Sequence, residues 1–350
     1  MSSSLDKTDG SSRKLWRAHT PGRQKRIVVL GTGGSISTLG RSPFDLVDYG
    51  EFGQLVSTEQ LFAMFPELGE LAEFEFIEAT SVHSEALTTD HWSKLARVLE
   101  TQAQRSEVDG IVVVHGTSTL EEAAWFLHLT VRSTIPIVIT GAMRPANGLS
   151  TDAGLNLACA ISAACYRPLA EYGVLAVIDG EIHGARDVTK VSTYQLSAFR
   201  SGELGPVGFV DALGAVSLYR APWGTQQHFS VTDAFTLPRV DVVCSYSGAD
   251  GAAVNVFIEA GATGIVVASM APGVCPPSQL RALENAAQNG AAIVFSSRAG
   301  QGRVLKSEFL KSRGFFTADN LTPQKARILL RLALSSRLAP DDIQRSFDHP

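Results

Sequence analysis

The segment Ile27–Ser37 places the first constraint on the fold, because an aliphatic run breaks abruptly into a turn with three glycines. A run of this kind that stops at glycine is typical of a buried strand ending at the chemical edge of an α/β sheet. Gly31, Gly33 and Gly34 let the chain turn sharply and bring backbone N–H groups close to a ligand. This pattern favours Ser35 as an exposed hydroxyl nucleophile beside ready anion donors.

A glycine turn after a first strand is more often the phosphate-binding loop of a nucleotide site. The letters GTGGSIS match neither the GxGxxG spacing nor the GxxxxGK[ST] pattern, and the turn contains no lysine. The sequence therefore argues against a nucleotide-phosphate loop at this turn.

A second segment repeats the design of the first. Ile111–Val114 is again β-branched, the following residues carry the hydroxyls of Thr117 and Thr119, and Glu121–Thr130 has a helical pattern. Because the carboxyl ends of parallel strands meet at one edge of a sheet, we expect the two hydroxyl-bearing turns to line one shared site.

The two turns resemble the paired signatures of the bacterial-type asparaginase/glutaminase family, TGGT-I followed by HGTDT-EE. They read here as Thr32-Gly33-Gly34-Ser35-Ile36 and His115-Gly116-Thr117-Ser118-Thr119. Further segments are similar to the family in the same order: Gly141–Pro145, Ser150, Asp152, Asn156, Gly184–Lys190, Tyr246–Asp250 and Thr322–Arg327. The resemblance covers roughly residues 25–345.

Strand-like and helix-like segments alternate along the chain, which predicts an α/β protein, and 350 residues suggest two domains. We expect a flexible polar tail (1–25), a larger N-terminal domain with a mostly parallel sheet flanked by helices (26–218), a linker (219–237) and a smaller flavodoxin-like C-terminal α/β domain (238–350). In the C-terminal domain, Thr322 is expected to cap a helix that begins with Pro323.

The resemblance implies a nucleophile at Ser35 and a proton relay formed by Thr117 and Lys190. The family usually has threonine at the first position, but a serine hydroxyl attacks a carbonyl equally once a base removes its proton. A lysine in an enclosed site has its pKa lowered by burial and can then act as the base. Tyr49 is the one tyrosine of segment 38–54, where the family has a lid tyrosine over the nucleophile.

The resemblance also implies substrate contacts, which we expect at Gly34, Ser84, Glu85, Gly116, Ser118 and Glu308. Ser84 and Glu85 align with the loop that holds the substrate carboxylate. Glu308 aligns with a glutamate that, in the family, contributes to the active site of a neighbouring subunit. At Ser118 the family has an aspartate that binds the substrate's α-ammonium, and a charged hydrogen bond of this kind contributes about 1.5–3 kcal/mol. We expect weaker binding of L-asparagine unless Glu85 replaces that charge.

Besides Ser35 and Ser118, the segment Met270–Pro276 differs from the family pattern, which has an asparagine in a glycine-rich turn at this place. This substitution predicts a more apolar wall at that side of the pocket.

The leading hypothesis is hydrolysis of L-asparagine to L-aspartate and ammonia through a Ser35 acyl-enzyme. One alternative is a family hydrolase for a carbonyl substrate without a free α-ammonium, such as a substituted amide, lactone or thioester. Another is an ammonia-supplying amidotransferase subunit, although such relatives carry an additional N-terminal domain. A non-catalytic binding protein is disfavoured, because it has no need for Thr32, Thr117 and Lys190 together.

Composition narrows the possible partners. A net charge of −5, 19% charged residues and the lack of a basic block disfavour nucleic acid and anionic membranes as partners, leaving a small-molecule substrate. The four cysteines lack CxxC spacing, so we expect neither a metal site nor a cofactor. The N-terminal segment has no apolar stretch of signal-peptide length, which predicts a cytoplasmic protein. The resemblance implies a homodimer or homotetramer with sites at the subunit interface.

Overall fold

The computed structural model describes Trp16 and residues 23–222, 227–231 and 236–349. The strands of the N-terminal half are β1 (Arg26–Gly31), β2 (Thr38–Leu39), β3 (Gln54–Leu55), β4 (Glu73–Glu78), β5 (Gly110–Val114), β6 (Ile137–Thr140), β7 (Val174–Ile178), β8 (Glu181–Gly184), β9 (Thr189–Lys190), β10 (Phe199–Arg200), β11 (Gly208–Val210) and β12 (Val216–Leu218). Its helices are α1 (Tyr49–Phe52), α2 (Thr58–Ala63), α3 (Thr89–Ala103), α4 (Leu120–Thr130) and α5 (Ala153–Cys165).

The C-terminal half continues the alternation of strands and helices. Its strands are β13 (Val240–Cys244), β14 (Gly264–Ser269), β15 (Ala292–Ser297) and β16 (Phe316–Thr317). Its helices are α6 (Ala252–Glu259), α7 (Pro277–Gln288), α8 (Glu308–Lys311), α9 (Pro323–Ser335) and α10 (Pro340–Asp348). Within the described ranges, none of the helices combines the length and the apolar character needed to cross a lipid bilayer.

The N-terminal sheet has eight strands in the described residues, in the order β12-β11-β8-β7-β6-β5-β1-β4. The five from β4 to β7 are parallel, and β8, β11 and β12 extend the sheet in antiparallel pairing. Val28 and Leu30 of β1 face one core cluster while Ile27 and Val29 face another, because the sheet is covered by helices on both sides. Burial on both faces explains why β1 reads as a continuous aliphatic run.

The C-terminal domain has a parallel four-stranded sheet in chain order, β13-β14-β15-β16. One face of this sheet packs with α6 and α7, and the other packs with α9. Helix α9 also packs against α4, so a single core cluster contains residues of both domains. Trp125 of α4 donates its indole N–H to the Lys325 carbonyl of α9 at 3.2 Å, which ties the two helices together.

The two-domain α/β architecture predicted from the sequence is confirmed, with some differences in detail. Helix α9 begins at Pro323 as expected, but the Thr322 hydroxyl makes no capping hydrogen bond and is buried without a partner among the described residues. Most of the predicted tail and parts of the predicted linker lie outside the described residues. Trp16 does not follow the expectation of a free tail, because its indole N–H donates to Ser162 Oγ at 2.9 Å. The domain boundaries themselves stay a prediction.

Candidate active site

The turn after β1 is tied to the end of β5. Both the backbone N–H and the hydroxyl of Thr32 donate to the carbonyl of Val114, each at 3.0 Å. Gly33 and Gly34 follow with φ of +85° and +89°, a region that side chains with a Cβ rarely adopt. The glycines therefore allow a bend that brings Ser35 to the edge of the sheet.

Three loops meet at backbone distance beside Ser35. A Cβ atom added to Gly34 would lie 2.2 Å from Gly116 Cα, and one added to Gly116 would lie 2.6 Å from Ser84 Oγ. Side chains at either glycine would force these loops apart. Gly34, Gly116 and Ser84 are thus brought together as the sequence predicted, although their roles toward a substrate stay predictions.

Ser35 lies partly exposed in a single 3₁₀ turn, Ser35–Ser37. Its hydroxyl donates to the carbonyl of Ala142, in the loop after β6, at 2.9 Å. The same loop is held by Asp152, whose carboxylate accepts the backbone N–H groups of Met143 and Arg144 at 2.9 and 3.0 Å. The Gly141–Pro145 segment therefore forms a wall of the site beside the nucleophile candidate.

Tyr49 begins the short helix α1 in the segment between the β2–β3 hairpin strands. Burial raises the pKa of Tyr49, a hydrogen bond with Ser35 opposes this, and the charges of Asp152 and Glu85 add to the rise. The structure therefore places the phenol against the Ser35 hydroxyl, with two carboxylates near enough to act on it.

The second hydroxyl meets its predicted lysine. Lys190 Nζ donates to Thr117 Oγ1 at 2.9 Å, and Thr117 is almost fully buried. Burial lowers the pKa of Lys190, while the negative charge of Glu121 opposes that change. A lysine with a lowered pKa against a threonine hydroxyl has the geometry and the chemistry of a proton relay.

Glu121 is a contributor that sequence reasoning did not single out. Its carboxylate accepts the Lys190 backbone N–H at 3.1 Å and the Gln324 side-chain amide at 2.8 Å. The only sequence signal was its place in the EE pair of the second signature. One partner is 69 residues away along the chain and the other lies in the second domain, so no periodic pattern in the sequence indicates these contacts.

His115 lies beside the site but is no candidate base. It is fully buried, its Nδ1 lies 2.7 Å from the Gly116 carbonyl, and burial lowers its pKa to about 4. The imidazole is therefore neutral at physiological pH and packs beneath the turn that contains Gly116.

The remaining predicted contacts divide into two groups. Glu85 and Ser118 are both exposed: Glu85 follows Ser84 in the 3₁₀ turn Ser84–Ala86, and Ser118 follows Thr117. Glu308 lies on α8 with an 89% exposed side chain, and its carboxylate is 3.9 Å from Lys311 on the same helix. No hydrogen bond or ion pair joins Glu308 to the Ser35 turn within the part of the chain that the structure describes.

The Met270–Pro276 turn follows β14 and closes through an isolated bridge between Met270 and Val274. Gly273 has φ of +126°, and a Cβ there would lie 2.8 Å from Val304. Val274 is exposed on this turn, and the apolar pocket wall expected there stays a prediction.

A cavity of about 680 Å³ opens beside Lys190 and is lined by both domains, including Ser201, Gln301 and Asn320. A crevice of this size between two domains is a common location for a small-molecule site.

Comparisons with known proteins match this chain over most of its length. The family described as "Asparaginase, N-terminal" matches residues 26–243, and the family described as "Glutaminase/Asparaginase C-terminal domain" matches residues 239–347.

Individual relatives agree with the family models. A protein of Haemophilus influenzae named probable L-asparaginase periplasmic is 36% identical over 92% of each chain. L-asparaginase 2 of Escherichia coli is 34% identical over 92% of each chain. The glutaminase-asparaginase of Pseudomonas fluorescens is 33% identical over 92% of this chain and 89% of its own.

The crystal structure of a probable cytoplasmic L-asparaginase from Campylobacter jejuni superposes with a TM-score of 0.88 at 32% identity, covering 93% of this chain and all of that one. The family models, the relatives and the solved structure therefore agree on one family. The chain belongs to the asparaginase family and is an amidohydrolase, a hydrolase that acts on a carbon–nitrogen bond of a small molecule.

Proposed function

We propose that this chain hydrolyses the side-chain amide of L-asparagine and releases L-aspartate and ammonia. The observation that carries the proposal is the 2.9 Å hydrogen bond between Lys190 and Thr117. Thr117 follows Gly116, whose backbone lies against Gly34 in the turn that carries Ser35. This arrangement provides a lysine of lowered pKa and two hydroxyls at one sheet edge. The names of the Escherichia coli and Haemophilus influenzae relatives support this substrate.

In the first step Ser35 Oγ attacks the amide carbon, the carbon–nitrogen bond breaks, and ammonia leaves with an ester on the serine. In the second step water attacks the ester and restores the serine hydroxyl. Thr117 and Lys190 accept the proton of the attacking group, because the lowered pKa of Lys190 increases its neutral fraction. The relay then returns that proton to the leaving nitrogen in the first step and to Ser35 Oγ in the second.

Tyr49 acts as a hydrogen-bond partner of Ser35 rather than as its base. Burial and the charges of Asp152 and Glu85 raise the pKa of its phenol, which therefore stays protonated at neutral pH. A protonated phenol orients the serine and excludes water when the lid segment covers the substrate.

Glu85 supplies the negative charge that Ser118 lacks. Its carboxylate is exposed, and its negative charge contributes to the raised pKa of Tyr49. Ser84, which is buried beside Gly116, positions this loop for the polar head group of the amino acid.

L-Glutamine is a second candidate substrate, because the similar Pseudomonas fluorescens protein is named glutaminase-asparaginase. The two amides differ by one methylene, for which a pocket discriminates by only about 1–3 kcal/mol.

The proposal includes a homo-oligomer in which Glu308 serves a neighbouring subunit's site. Exposed apolar side chains support a covered surface, among them Phe44, Phe52, Tyr194 and Leu305. Light scattering of the purified protein tests this, and a monomer would remove Glu308 from the site. The cytoplasmic location stays a prediction from the sequence, since the relatives' names include both compartments.

The direct test is ammonia release from L-asparagine and L-glutamine by wild type, Ser35→Ala and Ser37→Ala. Ser37 is a matched control, because its buried hydroxyl two residues away has no hydrogen-bond partner among the described residues. We expect Ser35→Ala to lose activity by a factor of about 10⁴ or more, as loss of an acyl-enzyme nucleophile does. Full activity of Ser35→Ala would refute the serine mechanism. If the wild type releases no ammonia from either amide, the proposed substrate is refuted.

A further inference from the structure

We infer that Glu121, Gln324 and Lys325 are positioning residues that hold Lys190 against Thr117. The inference rests on the function proposed above for that pair. It makes the C-terminal domain a structural part of the proton relay within the same chain, although neither of its two residues touches the Lys190 or Thr117 side chain in the contacts described.

Glu121 connects the two elements that carry the relay. It lies in the first turn of α4, four positions after Thr117, and its carboxylate accepts the backbone N–H of Lys190 in β9. The carboxylate is largely buried, so each lost partner would leave an unsatisfied charge in a poorly solvated place. Glu121 therefore fixes the distance between the threonine turn and the lysine strand.

Gln324 orients that carboxylate from the other domain. Its side-chain amide donates to Glu121 Oε1 at 2.8 Å, while Lys190 uses Oε2. The two oxygens of one carboxylate are thus divided between the lysine strand and helix α9. Without Gln324, rotation of the carboxylate would release the Lys190 backbone.

Lys325, the next residue, holds the segment that precedes Lys190. Its ammonium is fully buried and donates to the carbonyls of Ala185, Arg186 and Val188, the first two at 2.8 and 2.9 Å. Burial lowers its pKa to about 8, which still leaves it protonated at neutral pH. Three charged hydrogen bonds to consecutive parts of one loop fix its path into β9, and a buried cation is retained only where such partners satisfy it.

These contacts matter because β9 has little other support. Among the described residues it is a two-residue strand paired with β10 in a two-stranded sheet, apart from the large sheet. A short strand of this kind is marginal by itself, so tertiary contacts must define where its lysine lies.

The experiment compares Gln324→Leu and Lys325→Met with Arg331→Met as matched control. Arg331 is a buried cation on the same helix that likewise donates to backbone carbonyls, those of Pro238 and Leu237, away from Lys190. We expect the first two variants to lower kcat for amide hydrolysis by about 10- to 100-fold with KM nearly unchanged, as a displaced catalytic group does. Arg331→Met should lose comparable stability while its kcat stays near that of wild type.

Equal kcat in wild type and in folded Gln324→Leu and Lys325→Met would overturn the inference, as would an equal loss in Arg331→Met. If Lys325→Met does not fold, the variants Gln324→Leu and Glu121→Gln test the inference, because Gln324 is only half-buried. Glu121→Gln removes the charge that raises the pKa of Lys190, so the limb of the pH profile on which activity rises with deprotonation of Lys190 should shift to lower pH.

A second readout does not depend on hydrolysis. The pH-dependent rate of acetylation of Lys190, followed by peptide mass spectrometry, reports its pKa and its accessibility in each variant. We expect faster labelling in Gln324→Leu and Lys325→Met than in wild type and Arg331→Met. If the wild type hydrolyses no amide, this result alone separates failure of the proposed function from failure of the positioning role, which unchanged labelling would refute.

Discussion

At the scale of single residues, Ser118 differs most in its chemistry from the family pattern. Its exposed hydroxyl lies next to the buried Thr117, where the resemblance implies a carboxylate. A neutral hydroxyl offers no ion pair to an α-ammonium group, and we propose that Glu85 supplies the charge for an amino-acid substrate.

In a Glu85→Gln background, Ser118→Asp should tighten the binding of L-asparagine, because the charge that we assign to Glu85 is then absent. A restored charged hydrogen bond of about 1.5–3 kcal/mol corresponds to a KM lower by a factor of about 10 to 150, with kcat little changed. Steady-state ammonia release measures this, and Ser118→Asn in the same background controls for size without charge. An unchanged KM would mean that position 118 does not face the α-ammonium group or that the substrate carries none.

The sequence predicts individual site residues well where they follow a strand. Ser35 and Thr117 lie in the turns that follow the aliphatic strands β1 and β5, which the sequence marks clearly. The position of Tyr49 relative to Ser35 cannot be derived from spacing, since loop paths between strands follow no period, and it is given by the structure. The roles of all these residues toward a substrate stay predictions.

At the scale of elements, the turn after β1 depends on close approach of backbones. Gly34 differs in this respect from Gly248, which has a similar φ of +84° but open space around it. Alanine substitutions at these two glycines therefore separate the strain of a left-handed backbone from the clash with a neighbouring loop.

Gly248→Ala should destabilise the protein by about 1–2 kcal/mol, the strain of a left-handed residue with a Cβ, and leave hydrolysis unchanged. Gly34→Ala adds a Cβ 2.2 Å from Gly116 Cα, so it should destabilise more and reduce kcat on the order of 100-fold by displacing Ser35. Urea unfolding and ammonia release measure the two effects. Equal behaviour of the two variants would show that the Gly34–Gly116 contact has no special role.

Elements with long periodic patterns could be predicted, and short ones could not. The aliphatic runs of β1 and β5 and the helical pattern of α4 are predicted from the sequence. The two-residue strands β9 and β10 carry too few residues for any period, yet β9 delivers Lys190. The antiparallel strands β8, β11 and β12 are also short, and their pairing is decided by neighbours rather than by their own residues.

At the scale of the whole molecule, three buried histidines link stability to acid. Burial lowers the pKa of His115, His128 and His183 to about 4 each, below the ordinary value of 6.5. Between those two values the unfolded chain binds more protons than the folded one, so stability rises with pH there and falls as pH decreases toward 4. The raised pKa of Asp152 acts in the opposite direction.

The free energy of unfolding should therefore fall from pH 6.5 toward pH 4, by up to about 1.4 kcal/mol per pH unit for each histidine. Urea titrations at several pH values measure the slope. His128→Gln removes a histidine whose ring stacks on Trp125, and should make the slope shallower by one group. An identical slope in this variant would show that His128 already titrates normally.

Helix α9 has a consequence for the order in which the protein is made. The ribosome adds Ser35, Thr117 and Lys190 to the chain well before it adds Gln324 and Lys325. A nascent chain that has already formed the large sheet would still lack the side chains that fix its lysine strand. Amide hydrolysis would then begin only after α9 has been synthesised, and a chain that stops before Gln324 would be inactive.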